Sequence, residues 1–268
     1  MVDFEFKETY TFQDLLTIMA ILRAPGGCPW DREQDHASIK RSLIEETYEV
    51  IEAINKDDKV LLQEELGDVL LQVVFHAQIE REAGVFDMDD VCDGICKKLI
   101  ERHPHVFGDV KVSGTDDVLD NWDTIKRKSK QQKTQGDAMQ NVPRELPALM
   151  RAEKIQKKAK KAGFDWDDVS GAYDALDSEI GELKAAAQSG DSAAAAEELG
   201  DVLFSVVNVA RFLKIDPEQA LTAATDKFMQ RYLLVEQLAH ERGISMETTP
   251  IDALDKLWVE AKTILESK

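Results

Sequence analysis

Only three cysteines (Cys28, Cys92 and Cys96) occur in 268 residues. That is too few for a disulfide framework, and reduced thiols point to the cytoplasm. Long apolar runs are missing as well. The longest candidates are broken by Gln72, Ser205 and Asn208, well short of the roughly 18 residues that a spanning helix needs, so no membrane partner is expected. The segment Met1 to Phe12 carries acids and lacks the basic-then-apolar order of a secretory leader. Positive charge is scarce: 33 basic residues face 52 acidic ones, a formal charge of −19. This balance argues against a nucleic-acid polymer as partner, because phosphate contacts need an excess of Lys and Arg. It leaves room for a small phosphate ligand bridged by metal ions. Histidines number five, with only His240 in the C-terminal half. The P-loop and the G-x-S-x-G elbow are absent.

What the chain does have is one carboxylate pattern written twice. Glu46, Glu49, Glu65 and Asp68 recur as Glu179, Glu182, Glu198 and Asp201, each displaced by 133 residues. Acids three apart on a helix share a face, and like charges there disfavour the helix by about a few tenths of a kcal/mol per pair. A cost kept twice at identical spacing points to a bound cation.

The repeat extends around the acids. EELGDVLLQVVFHAQ (64–78) and EELGDVLFSVVNVAR (197–211) agree at ten of fifteen positions. Cys28-Pro29-Trp30-Asp31 parallels Phe164-Asp165-Trp166-Asp167, the pair Lys98 and Arg102 parallels Lys227 and Arg231, and Trp122 with Lys126 parallels Trp258 with Lys262. A unit has been duplicated once; a solenoid would show three or more short repeats. The division is expected in the polar, proline-bearing stretch 128–147, giving an N-terminal domain over 1–127 and a C-terminal domain over 148–268. Apolar spacing of i, i+3, i+4 predicts helices over Ser42–Asn55, Leu61–Glu82, Val169–Gln188 and Ala193–Leu213, and strand-like alternation is scarce. Each half should supply about four or five helices, so the fold class is all-α, a tandem pair of small bundles. Gly84, Gly108, Gly190 and Gly243 lie where helices should stop, and Pro217 and Pro250 near starts.

The residues after Asp68 and Asp201 are apolar almost all round the helix, which predicts buried helices headed by those two acids. Buried carboxylates need cations or protons. Di-iron bundles pair Glu with His three residues on, and neither copy does so; Glu33 to His36 has that spacing once, outside the repeat. An all-oxygen set suits magnesium or manganese, and magnesium held by protein carboxylates takes substrate phosphates as further ligands. The Lys98/Arg102 and Lys227/Arg231 pairs are candidates for the outer phosphates, against a reading as solvated helix faces. Trp122 and Trp258 are candidates for stacking a base, against a reading as core. Trp30 and Trp166 are expected as core or turn residues.

Together, LRAPGGCPWDREQDHASIKRSLIEETYEVIEAI, EELGDVLLQVVFHA, ERHPHVFGDV and GFDW with EELGDVLFSVVNVAR resemble the MazG family of nucleoside triphosphate pyrophosphohydrolases. The EExxE…EExxD signature is complete in the first copy (Glu45, Glu46, Glu49; Glu64, Glu65, Asp68), whereas Ser178 replaces the leading Glu of the second. The resemblance implies an all-α homodimer that uses Mg²⁺ to hydrolyse nucleoside triphosphates to monophosphate and pyrophosphate, with house-cleaning of nucleotide pools as its role. It also implies that Glu179, Glu182, Glu198 and Asp201 hold the metal and carry catalysis, with Glu46, Glu49, Glu65 and Asp68 as a second metal set. Lys227 and Arg231 would grip phosphates, and Trp258 and Lys262 would complete the pocket. Asn208 adds a hydrogen-bonding group for base or sugar where the first copy has Phe75, which favours the C-terminal half as the main catalytic one. The alternative is a non-catalytic helical module that binds metal or nucleotide.

Overall fold

The computed structural model describes residues 4–129 and 134–267, which divide into two compact units, Met1–Lys126 and Arg127–Lys268. The first contains α1 (Phe12–Arg23), α2 (Pro29–Glu33), α3 (His36–Asn55), α4 (Lys59–Ala83), α5 (Met88–Arg102) and α6 (Pro104–Phe107), and α7 (Thr115–Ser129) reaches the division. The second contains α8 (Gln135–Gln140), α9 (Ala148–Lys161), α10 (Val169–Ser189), α11 (Ser192–Phe212), α12 (Pro217–Glu241) and α13 (Ile251–Glu266). No strand occurs among the described residues. The stretch 128–147 carries α8, and its residues 130–133 lie outside the described residues.

Two antiparallel helix pairs position the acids: α3 packs along α4, and α10 along α11. Their ends are fixed by aspartates that repeat at the same 133-residue displacement. Asp35 caps α3 and Asp168 caps α10; Asp58 caps α4 and Asp191 caps α11. Each accepts hydrogen bonds from first-turn amides that have no intrahelical partner, worth about 0.5–2 kcal/mol per cap. Gly84 ends α4 and Gly190 ends α10 with φ of 71° and 75°, a left-handed backbone that glycine adopts without a Cβ penalty. The duplicated acids therefore face one another because the caps set both register and hairpin length.

In the first unit Met19, Ile39, Val74 and Phe75 form the buried core, with Leu15, Leu16, Leu71, Ile79 and Met88 against it. In the second, Val235, Leu238, Ala239, Leu257 and Ala261 knit α12 to α13, with Trp258 at the edge. Each large aliphatic buried in this way contributes roughly 1.5–3 kcal/mol.

The expectation of helices buried on all sides is corrected here. On α11, Val207, Asn208 and Val209 are buried, but Leu199, Leu203, Phe204 and Val206 are exposed, and so is Asp201. On α4, Leu66 and Leu70 are exposed while Val74, Phe75 and Ala77 are buried. One unit supplies too few neighbouring helices to wrap its own apolar helix. Trp30, on α2, and Trp166, in the turn before α10, are exposed, so of the two expectations core fails for both and turn holds for Trp166; a Cβ at Gly171 would lie 2.4 Å from the Trp166 ring, so that glycine admits the indole against α10. No described helix is long and apolar enough to cross a membrane.

Candidate metal centre

Within each helix pair three carboxylates converge. Glu46 and Glu49 on α3 meet Glu65 on α4, and Glu179 and Glu182 on α10 meet Glu198 on α11, with one oxygen of each within 4.8 Å of the others in its group. The i, i+3 spacing places two acids on one helix face, and the antiparallel partner brings the third. Asp68 and Asp201 lie one turn further on and add their charge to the same groups.

The electrostatics record the crowding. Burial, a hydrogen bond that the protonated Glu46 carboxyl donates to Glu49, and the charges of Asp68, Glu49 and Glu65 push the pKa of Glu46 above the usual carboxylate value. Glu65, 8% exposed, is raised by burial and then by Glu49 and Asp68. Glu179 is raised by burial and by Glu182 and Asp201; Glu198 by burial and by Glu182, Glu179 and Asp201. No ion pair among the described residues brings a Lys or Arg to any of these eight acids. The donor set is all oxygen, partly shielded and short of positive charge, so it fits a hard divalent cation. The residue missing from the second signature has a replacement role: Ser178 donates its hydroxyl hydrogen to Glu182 at 3.1 Å. In the first copy Glu45 is turned toward Arg41 at 2.7 Å.

The cationic candidates assemble with their aromatics in each half. Arg102, buried, lies over Trp122 at 5.4 Å, and its Nε has no hydrogen-bond partner. Arg231 lies over Trp258 at 5.9 Å and bonds Glu266 at 3.2 Å; Lys262 approaches the same carboxylate at 4.0 Å. Arg231, Trp258 and Lys262 therefore form one cluster around Glu266. Lys98 and Lys227 are exposed, and Lys126 is half-buried on the helix that carries Trp122. Among the described residues, Lys98, Arg102, Lys227, Arg231 and Lys262 form no ion pair with the four metal-site carboxylates of their own unit.

Asn208 is buried, 8% exposed, and its Oδ1 accepts from Arg211 Nε at 2.9 Å and Nη2 at 2.6 Å. Arg211 also donates to both oxygens of Asp165, at 2.9 and 2.5 Å, which holds the Asp165 carboxyl below its usual range. The carbonyl of Asn208 is thus engaged inside the unit, and only its amide nitrogen is left for the base or sugar contact expected from the sequence. The sequence reading missed Arg211 and Asp165 because they lie 46 residues apart, with no local spacing to link them.

The chain matches the MazG nucleotide pyrophosphohydrolase domain over residues 34–107 and again over 167–235. Each segment contains one complete carboxylate set and its Lys/Arg pair, and both Trp/Lys pairs fall outside. A nucleoside triphosphate pyrophosphohydrolase/pyrophosphatase MazG from Thermotoga maritima is 47% identical over 94% of this chain and 95% of its own length. A nucleoside triphosphate pyrophosphohydrolase from Escherichia coli is 45% identical over 92% of this chain and 95% of its own. One from Mycolicibacterium smegmatis is 41% identical over 56% of this chain and 46% of its own.

Proposed function

The chain belongs to the MazG family of nucleotide pyrophosphohydrolases, and from that premise we propose how its residues divide the work. It hydrolyses nucleoside triphosphates to nucleoside monophosphate and pyrophosphate. Glu179, Glu182, Glu198 and Asp201 hold Mg²⁺ in the C-terminal unit and carry the main activity; Glu46, Glu49, Glu65 and Asp68 form the second metal set. The observation that supports this most is the convergence of three carboxylates in each unit, with no Lys or Arg ion-paired to them among the described residues. Manganese satisfies the same donors.

Held by these carboxylates, the ion would supply positive charge against the triphosphate and make water more acidic at the site. The chain supplies the rest. A carboxylate of the quartet accepts the proton of the attacking water, whose oxygen forms a bond to the α-phosphorus. The bond from that phosphorus to the bridging oxygen breaks, and pyrophosphate leaves. Lys227 and Arg231 bind phosphate oxygens as charge-assisted donors. Arg231 must exchange Glu266 for the substrate, so the cluster around Glu266 is a resting partner set. Trp258 and Lys262 close the nucleotide side, and Lys98, Arg102, Trp122 and Lys126 are their counterparts in the first unit. Asn208 contributes its amide nitrogen to the base or sugar.

The exposed stripes Leu199, Leu203, Val206 and Leu66, Leu70 recur at matching positions of α11 and α4. We infer that a second copy of the chain covers them, making a homodimer. The three free thiols agree with a cytoplasmic enzyme, and house-cleaning of nucleotide pools is the role we assign.

The test is pyrophosphate release by the full chain from a panel of NTPs and dNTPs, with Mg²⁺ and with EDTA. Monophosphate and pyrophosphate in equal amounts, only with the metal, are expected. No release from any member would leave a non-catalytic binding module, and orthophosphate in place of pyrophosphate would overturn the site of attack.

A further inference from the structure

One cluster in the first unit is absorbed by none of this. His36 opens α3, and His76 and Glu80 lie four apart on α4, so both point from one face of that helix. The rings of His36 and His76 lie nearly parallel and edge to edge, with centroids 5.0 Å apart. Their Nδ1 atoms lie 2.7 Å from one another, and His36 Nε2 lies 2.6 Å from Glu80 Oε1.

The duplication supplies an internal control. Displaced by 133 residues, His36, His76 and Glu80 become Val169, Val209 and Leu213. Asp35 and Asp168 cap the two helices at the same displacement, so the positions are structurally equivalent. The second copy makes an aliphatic contact there, with Val209 buried. The fold therefore does not require polar groups at these three positions, and the first copy has all three.

We propose that His36 and His76 form a binding site for a divalent late transition ion of the zinc class, with Glu80 as the carboxylate that fixes the His36 ring. Imidazole nitrogen suits such ions, whereas magnesium prefers oxygen. Two nitrogens on a tetrahedral zinc at 2.0–2.1 Å sit roughly 3.3 Å apart, so the nitrogens part by about 0.6 Å and both rings turn to bring their lone pairs, now aimed at one another, onto the ion. A carboxylate on the far nitrogen of a ligating histidine is the usual outer partner; it fixes the tautomer that leaves Nδ1 with a lone pair. Burial and the neighbouring His36 lower the pKa of His76, which favours the neutral form that ligates. Remaining ligand positions go to water.

The place in the fold gives the ion a structural task. His36 precedes Glu46 by ten residues on α3, about 15 Å along the helix, so the cluster sits at one end of the α3–α4 pair whose middle carries mutually repelling acids. A metal there ties α3 to α4 independently of nucleotide chemistry.

The experiment is calorimetric titration of the full chain with Zn²⁺ in excess Mg²⁺, which occupies the oxygen sites. Zinc binding that weakens at least tenfold in His36→Val/His76→Val is expected, and this variant restores the residues of the second copy. Glu80→Gln, which keeps both imidazoles, should weaken zinc by about 10- to 100-fold. With Co²⁺ as probe, a visible band of nitrogen ligation should appear in the wild type and in Asp68→Asn, and vanish in the valine pair. No zinc binding by the wild type, or equal binding by the valine pair, would reduce the cluster to a hydrogen-bonded clamp and overturn the proposal. If the valine pair does not fold, Glu80→Gln and the cobalt band still decide.

Discussion

Arg211 donates two hydrogen bonds to Asn208 in the second unit, while the equivalent Phe75 in the first lies beneath Arg23, 5.2 Å from its ring centroid. Both copies thus place an arginine against this position, but Arg23 comes from α1 and Arg211 from α11 itself. Arg211 is also the link to Asp165, in the loop before α10. The Arg211 side chain is 5% exposed and that of Asp165 14%, so water screens the pair little.

Arg211→Ala should therefore destabilise the second unit by about 3 kcal/mol, because it strands a partly buried carboxylate. Asp165 has a lowered pKa, so its contribution is present above the usual carboxylate pKa and lost as pH falls through the lowered one. The wild type should lose this stability on acidification, and Arg211→Ala should lose much less. Asn208→Ala separates two roles: a drop in Tm with unchanged KM marks a core amide, whereas a raised KM with unchanged Tm marks a substrate contact. Thermal melts and steady-state kinetics read both.

The acid groups carry the opposite sign. Glu46, Glu65, Glu179 and Glu198 all have raised pKa values. A raised carboxylate stabilises the fold below its unfolded pKa, and that stability is lost as pH rises through the folded value. In EDTA, melting temperature should fall as pH rises above the usual carboxylate range and these groups ionise. Mg²⁺ should reverse the trend, since it binds the ionised form and its affinity grows with pH. Melts on a pH series with and without Mg²⁺ check this; parallel curves would sink the metal assignment.

Much of this was legible in the chain. The acids were found because both copies keep the same ExxE, the same gap and ExxD, and equal hairpins must bring them together. α10 and α11 were bounded within a residue or two because apolar spacing runs to their caps. Apolar spacing alone starts α3 six residues late, at Ser42: His36 to Arg41 has little apolar periodicity, and its signal is the capping box of Asp35 and Ser38. The exposed stripe on α11 could not be distinguished from core, because an all-round apolar helix looks the same whether its neighbours belong to its own chain or to another. His36 and His76, 40 residues apart, meet only through the antiparallel turn, although the i, i+4 spacing of His76 and Glu80 was in view.

That stripe is open to test. Leu199, Leu203 and Val206 follow i, i+4, i+7 on α11 and are all exposed in a single chain, a patch that a soluble monomer rarely keeps. Leu199→Glu/Leu203→Glu places two charges on it and should halve the mass seen by light scattering without unfolding the second unit. A wild-type chain that is already monomeric at micromolar concentration would overturn the homodimer.

The two halves differ in how ready their cations are. Arg231, beside Trp258, is held by the exposed Glu266, a partner that the proposed triphosphate contact would displace at little cost because surface ion pairs are worth about 0–1 kcal/mol. Arg102 is buried against Trp122 with its Nε already out of reach of water. Ser178 steadies Glu182 in the second copy, whereas Glu45 turns to Arg41 in the first. These differences support the proposal that the second half carries the main activity. Asp201→Asn should lower kcat by about 100-fold or more, the scale of losing one transition-state charge contact, and Asp68→Asn should leave most of the activity. Both variants keep the shape of the side chain and relieve repulsion, so neither should lower the metal-free melting temperature. Equal losses from the two would mean that the halves work together, and loss from Asp68→Asn alone would move the catalytic centre to the first unit.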